Sequence, residues 1–147
     1  MKILLPVDGS EGALAAVRHA LLLLHAGLHA DVVLANVQEP ASLYEVVVAH
    51  DAQVIENISA AAAAHSLEAA RGMLRDAGIE HETEIALGDP GHTLLDIAER
   101  FECDAIVMGA RGVGAPLRAT RFGSVANAVL HGAAVPVTIV PGAKSDA

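Results

Sequence analysis

The sequence predicts a doubly wound α/β domain, a five-stranded parallel sheet with helices on both faces, and two observations carry that reading. Short apolar runs alternate along the chain with longer segments of helical periodicity, in the order β-α-β-α-β-α-β-α-β. Most of those runs are apolar at nearly every position, as strands covered on both faces require. Such alternation implies parallel strands joined by right-handed crossovers. A length of 147 residues suits one domain, spanning residues 1–147, and leaves no room for a second full core.

Taken in order, Lys2–Val7 is a short β-rich run that meets Asp8-Gly9-Ser10, a turn. Ser10 is placed to cap a helix, and Glu11 favours its positive end. That helix runs to about His25, and Gly27 stops it. Asp31–Val37 is the second strand. Gln38–Asp51 is a long connection broken by Pro40; its Val46-Val47-Val48 run either covers a site as a flap or packs on the core. Ala52–Ala77 is the clearest helix, with Ile55, Ile58, Ala62, Leu67, Ala70 and Leu74 as its apolar stripe. Gly78 closes it. Ile79–Leu87 alternates in its first half, which predicts a wet face or an edge position. Gly88-Asp89-Pro90 turns into a helix with Pro90 at its first position, and that helix carries Leu94, Leu95, Ile97 and Ala98. Asp104–Met108 is an apolar strand. A glycine-rich loop then runs to Phe122, followed by a helix over Gly123–His131 and a last strand over Val135–Val140. Pro136 within that strand predicts an edge.

Composition narrows the function. The net charge of −9 repels nucleic acid and anionic membranes, and aromatics at 2% provide no stacking platform for single strands. No apolar run is long enough to span a membrane. The lone Cys103 excludes an internal disulfide and a cysteine-cluster metal site. With no signal-peptide pattern ahead of the first strand, the expected location is the cytoplasm.

In an open α/β sheet, ligands sit beyond the carboxyl ends of strands where the strand order reverses. The richest such segment is Met108-Gly109-Ala110-Arg111-Gly112-Val113-Gly114, followed after a loop by Gly123-Ser124-Val125. Glycines at 109 and 112 let backbone amides approach a phosphate. Gly123-Ser124 opens a helix whose free N–H groups and dipole attract an anion, and the Ser124 hydroxyl adds a donor. All 18 acidic residues lie outside Ala105–Ser145, which carries Arg111, Arg118, Arg121 and Lys144. A local positive field in an acidic chain suits an anionic small molecule.

The residues KILLPVDGSEGALAAVRHAL, GDPGHTLLDIAERFECDAIVMGARG and GSVANAVLHGAAVPVTIVP together make the whole chain resemble the universal stress protein family. The resemblance implies strand order 3-2-1-4-5, a cytoplasmic stress-response role and a homodimer through the last strand. It also implies ATP binding, with Mg²⁺ as a possible companion, through a Gly-x2-Gly-x9-Gly-Ser pattern that maps onto Gly109, Gly112, Gly123 and Ser124. Pro6, Val7, Asp8, Val37, Met108 and Val125 match lining residues, and Arg111 and Gly114 fall within the phosphate loop. Asp8 suits the ribose or adenine, because a carboxylate accepts hydrogen bonds and repels phosphate. Ten residues, Val113 to Phe122, separate Gly112 from Gly123, one more than the family spacing.

Other chemistries find less support. His25 and His29 have a metal-ligand spacing, but Gly27 interrupts the helix between them. No Gly-x-Ser-x-Gly elbow accompanies Ser10, and no Gly-x4-Gly-Lys-Ser/Thr loop is present. No general base or nucleophile stands out, so the reading is binding without committed catalysis. The alternatives are a module that binds protein partners and no nucleotide, and a hydrolase of phosphorylated small molecules.

Overall fold

The computed structural model describes residues 1–39, 52–111 and 122–142, and among residues 52–60 the backbone only. Within them lie five strands and four helices: β1 (Lys2–Pro6), α1 (Glu11–His25), β2 (Asp31–Gln38), α2 (Ala52–Asp76), β3 (His81–Leu87), α3 (Pro90–Arg100), β4 (Ala105–Gly109), α4 (Ser124–Gly132) and β5 (Val137–Val140). The strands form one sheet in the order β3-β2-β1-β4-β5, every pairing parallel. The expected α/β architecture and strand order are therefore what the chain adopts. The expectations on Pro40, Val46–Val48, Gly112, Gly114, Arg118, Arg121 and Lys144, and on the side chains of Ile55 and Ile58, lie outside the described residues.

Side-chain alternation along each strand builds two cores. Ile3, Leu5 and Val7 of the first strand segment join Val32, Leu34 and Val107 beneath α1 and α2. Leu4, Val33, Ala35, Ile106 and Met108 point the other way, against Leu94, Ile97 and Ala98 of α3 and Ala126 and Val129 of α4. Leu4, Leu5, Leu34 and Val33 are wholly buried. Each such side chain contributes about 1.5–3 kcal/mol relative to exposure. On α2, Ala63, Leu67, Ala70 and Leu74 are buried; the inward stripe holds at Leu67, Ala70 and Leu74, while Ala63 rather than Ala62 is the fully covered alanine.

Local signals set the helix ends. The Ser10 hydroxyl oxygen accepts from the Ala13 N–H at 3.2 Å. Gly27 adopts φ +117° just past α1, and its N–H returns to the Leu24 carbonyl. Asp89 caps α3 with Pro90 in the first turn. Among the described residues no helix is long and apolar enough to cross a membrane.

Two strands deserve correction at their ends. β5 starts at Val137, not Val135: Pro136 has no N–H to donate, and its carbonyl accepts from Ile106 at 3.0 Å as the last irregular link. β3 starts at His81, and Ile79 instead closes α2 by donating to the Leu74 carbonyl at 2.9 Å. Both β3 and β5 are edges of the sheet, as their patterns predict.

Candidate functional site

Strand order reverses between β1 and β4. The chain leaves β1 toward β2 on one side, and β4 lies on the other. The β1–β4 ladder is recorded at Ile3↔Ala105 and Leu4↔Ile106, although β1 continues to Pro6 and β4 to Gly109. Three segments meet at the carboxyl tips of these strands: the Asp8-Gly9-Ser10 turn, the Met108–Arg111 exit of β4, and the start of α4.

The Asp8 turn is tightly specified. Gly9 has φ +86°, a conformation that L residues rarely adopt, and the Cβ it lacks would lie 3.4 Å from Ser66 of α2. The Asp8 carboxylate accepts from the Ser10 N–H at 2.9 Å and from the Ser10 hydroxyl at 2.5 Å. Because that hydroxyl also serves the Ala13 N–H, Ser10 is a cap, not a nucleophile. Asp8 itself is exposed.

The exit of β4 is built by glycines in close contact. A Cβ at Gly109 would lie 2.7 Å from the carbonyl carbon and oxygen of Gly12, and one at Gly12 would lie 2.6 Å from the Arg111 carbonyl oxygen. The missing Cβ at 109 therefore serves the approach of α1 to the strand tip, whereas the sequence suggested access for a phosphate. Gly12, which the sequence reading passed over as helix interior, is the second half of this contact.

The start of α4 is the remaining wall. Gly123 is its N-cap and makes no side-chain capping bond. The Gly123 N–H donates to the Ala110 carbonyl at 2.7 Å, and the Ala110 N–H donates to Val140 at 3.1 Å. Those two amides belong to the fold. The helix donors aimed past the terminus begin at Ser124, which is exposed, and continue at Val125.

The apolar candidates divide between the two faces. Val37, Met108 and Val125 share the α3–α4 side; Met108 is 4% exposed, while Val37 and Val125 are half-buried and keep surface. Pro6 is half-buried at the end of β1. Val7 is different: its side chain is buried in the α1–α2 core. Its N–H donates to the Ala35 carbonyl at 2.8 Å, and its carbonyl accepts from Asn36 Nδ2 at 2.8 Å. Period-two alternation from Ile3 and Leu5 puts Val7 on that face, so its side chain does not join the lining of Val37 and Met108. Of the cationic candidates, Arg111 is described and exposed.

Other reactive groups are set apart. Cys103 is buried beneath α3, and burial pushes its thiol up; nearby Lys2 opposes this, while Asp104 and Glu82 reinforce it. That environment makes it a poor nucleophile. No cluster of three or more His, Cys, Asp or Glu suited to a metal ion occurs among the described residues. A depression of about 530 Å³ lined by Ala64, His65, Glu68, Arg71 and Arg75 lies on the exposed side of α2.

In doubly wound sheets of this kind, ligands are bound beyond the carboxyl ends of the strands at the switch point. The Universal stress protein family profile matches residues 1–141, and the chain belongs to that family. It is 28% identical over 145 residues to Universal stress protein MJ0531 of Methanocaldococcus jannaschii, covering 99% of this chain and 84% of the relative. It is 30% identical over 149 residues to Universal stress protein YxiE of Bacillus subtilis, covering 95% and 97%. Among solved structures it superimposes on hypothetical protein MJ0577 with a TM-score of 0.82 at 27% identity, covering 98% of this chain and 97% of that one. The fold is also shared by a universal stress protein in complex with cAMP, with a TM-score of 0.64 at 23% identity and 96% of each chain covered. An Arabidopsis thaliana family protein with AMP bound matches with a TM-score of 0.72 at 18% identity, covering 98% and 93%.

Proposed function

We propose that this protein binds an adenine nucleotide, ATP in the first instance, at the carboxyl tips of β1 and β4, and acts as a cytoplasmic stress-response protein without committed catalysis. The observation that carries the reading is the terminus of α4. It stands at the switch point, its cap residue is a glycine with no side-chain bond, and the N–H groups of Ser124 and Val125 follow. Such a terminus attracts negative oxygens through its donors and its dipole. Val37, Val125 and Pro6 supply partly exposed apolar surface for a base. Asp8 is held by Ser10 at the neighbouring tip, with a carboxylate suited to donors on the nucleoside.

Two other proteins of this fold are in complex with cAMP and with AMP, which supports the reading at the level of the fold and leaves the ligand of this chain to its own residues. A Mg²⁺ accompanying ATP would keep phosphate oxygens and waters as its main ligands. Gly109, Arg111, Gly112 and Gly114 would complete the phosphate loop, with Gly109 acting through its packing on Gly12. The unpaired edge of β5 is the surface through which two copies would join.

Calorimetric titration with ATP and Mg²⁺, together with mass spectrometry of the denatured purified protein, tests the reading. Saturable binding or co-purified ATP or AMP is expected, with hydrolysis no faster than slow background. An empty protein that shows neither heat nor thermal shift with ATP would reverse it in favour of a partner-binding module. Rapid turnover would favour a hydrolase. Sedimentation giving a monomer at micromolar concentration would remove the β5 dimer.

A further inference from the structure

Asn36 is the one buried polar side chain among the described residues, 1% exposed within a strand whose preceding residues are Val32, Val33, Leu34 and Ala35. A buried amide left unpaired costs about 1–3 kcal/mol, so its place in this run has a local cause. β1 and β2 hold a regular register from Lys2↔Asp31 to Pro6↔Ala35. Beyond Pro6, the Val7 N–H still reaches Ala35, but the Val7 carbonyl is taken by the Asn36 side chain at 2.8 Å. A carbonyl demands a donor, so Nδ2 faces Val7, and Oδ1 accepts from Gln38 Nε2 at 2.7 Å. The Gln38 carbonyl in turn accepts from the Gly88 N–H at 3.0 Å. Both ends of the Asn36 amide are thus fixed.

The Val7 carbonyl and the Asp8 nitrogen belong to one planar peptide. Holding that carbonyl sets the direction in which Asp8 leaves the sheet, and Gly9 and Ser10 complete the turn. We propose that Asn36 is a positioning residue: it orients the Val7–Asp8 peptide, and through it presents the Asp8 carboxylate to donor groups of a bound nucleoside. Its ligand-dependent half rests on the nucleotide reading above.

Asn36→Leu keeps the size and removes the donor, and two measurements decide the matter. The first needs no ligand. In NMR spectra, the Ser10 amide proton, which donates to Asp8 in the native turn, is expected to move upfield, while Ile3 and Leu4 amides at the sheet centre keep their shifts. An unmoved Ser10 signal in the folded variant overturns the proposal. The second compares ATP with tripolyphosphate. The dissociation constant for ATP is expected to rise about tenfold, the scale of a weakened bond to a charged group, with tripolyphosphate within about twofold. In an Asp8→Ala background the same substitution is expected to change ATP affinity no further. A loss that persists undiminished there, or falls equally on tripolyphosphate, marks a structural residue and overturns the proposal. A wild-type protein that binds no ATP overturns the nucleotide reading instead, and the Ser10 signal still decides what Asn36 does.

Discussion

Helices α3 and α4 both start at the carboxyl edge of the sheet and pack on the same face, yet their first turns are built in opposite ways. At α3 the terminus is closed from within. The Asp89 carboxylate accepts the His92 N–H at 3.1 Å, and Pro90 occupies a first-turn position where it has no N–H to leave unpaired. At α4 the cap is Gly123, with no side-chain bond, and Ser124 and Val125 follow with their donors intact. The acidic cap also answers the helix dipole at α3, while no acidic residue enters the first turn of α4. The two positions differ in one further respect: α3 follows an edge strand, and α4 follows β4 beside β1, where the strand order reverses. The helix at the edge satisfies its terminus with its own side chain, whereas α4, beside the switch point, has no side-chain cap, and it is there that the proposed anion site lies.

Closing the second terminus in the manner of the first is the strongest way to break this contrast. Gly123 has φ −70° and ψ 170°, an extended conformation open to any residue, so Gly123→Asp can adopt the cap geometry seen at Asp89. Exchange of Gly for Asp at an N-cap raises helix stability by only a few tenths of a kcal/mol. The new carboxylate competes for the Ser124–Ala126 donors and repels phosphate. ATP affinity is expected to fall by about 100-fold, since a like charge beside the phosphate and the lost donors together reach about 2.7 kcal/mol. Titration calorimetry beside thermal melting checks both halves. An unchanged affinity in a protein of unchanged melting temperature would sink the assignment of the anion to α4.

Removing the close approach at the strand tip is the next largest perturbation. A methyl group at 109 meets backbone atoms of α1, Gly12 at 2.7 Å and Ala13 N at 3.2 Å, none of which can rotate away. Gly109→Ala is expected to destabilise the fold by about 1–3 kcal/mol, the range for overpacking. Denaturant unfolding measures it. Gly91→Ala, which meets the Ala128 methyl at 2.7 Å between α3 and α4, is the control: comparable loss of stability, with ATP affinity retained.

These same residues mark how far the sequence could be read. The strands were legible because Ile3–Leu5, Val32–Ala35 and Ile106–Met108 are apolar at every step, and the caps because Ser10 and Asp89 carry side chains with one common use at a helix start. Their order in the sheet came from likeness to a family and not from periodicity, since pairing is a long-range property. The alternation of Val7 with Ile3 and Leu5 already puts its side chain in the α1–α2 core, away from Val37 and Met108. Gly12 hid inside an otherwise ordinary helix start, Glu11-Gly12-Ala13-Leu14; the signal was a helix-weakening glycine where alanine would be better. Asn36 was signalled by being the only polar residue in Val32–Val37, but its partner, the Val7 carbonyl, is a backbone atom 29 residues away. Contacts of that kind leave no mark on the composition of either segment.

The smallest effect sharpens the contrast from the other side. Asp89→Ala removes the carboxylate that closes α3 and leaves the His92 N–H without its acceptor. A stability loss of about 1 kcal/mol is expected, as for other lost caps. Opening this terminus is not expected to create a nucleotide site, for two reasons visible in the fold. Pro90 has already removed one first-turn donor, and among the described residues no strand lies beyond β3 to provide the second wall that β1 gives to α4. The measurement is the stoichiometry of ATP binding in the variant: one site per chain, with unchanged affinity and a lowered melting temperature, is the expected result. A second, weaker site would show that an uncapped terminus alone is enough, and would move the weight of the argument from the switch point to the helix dipole.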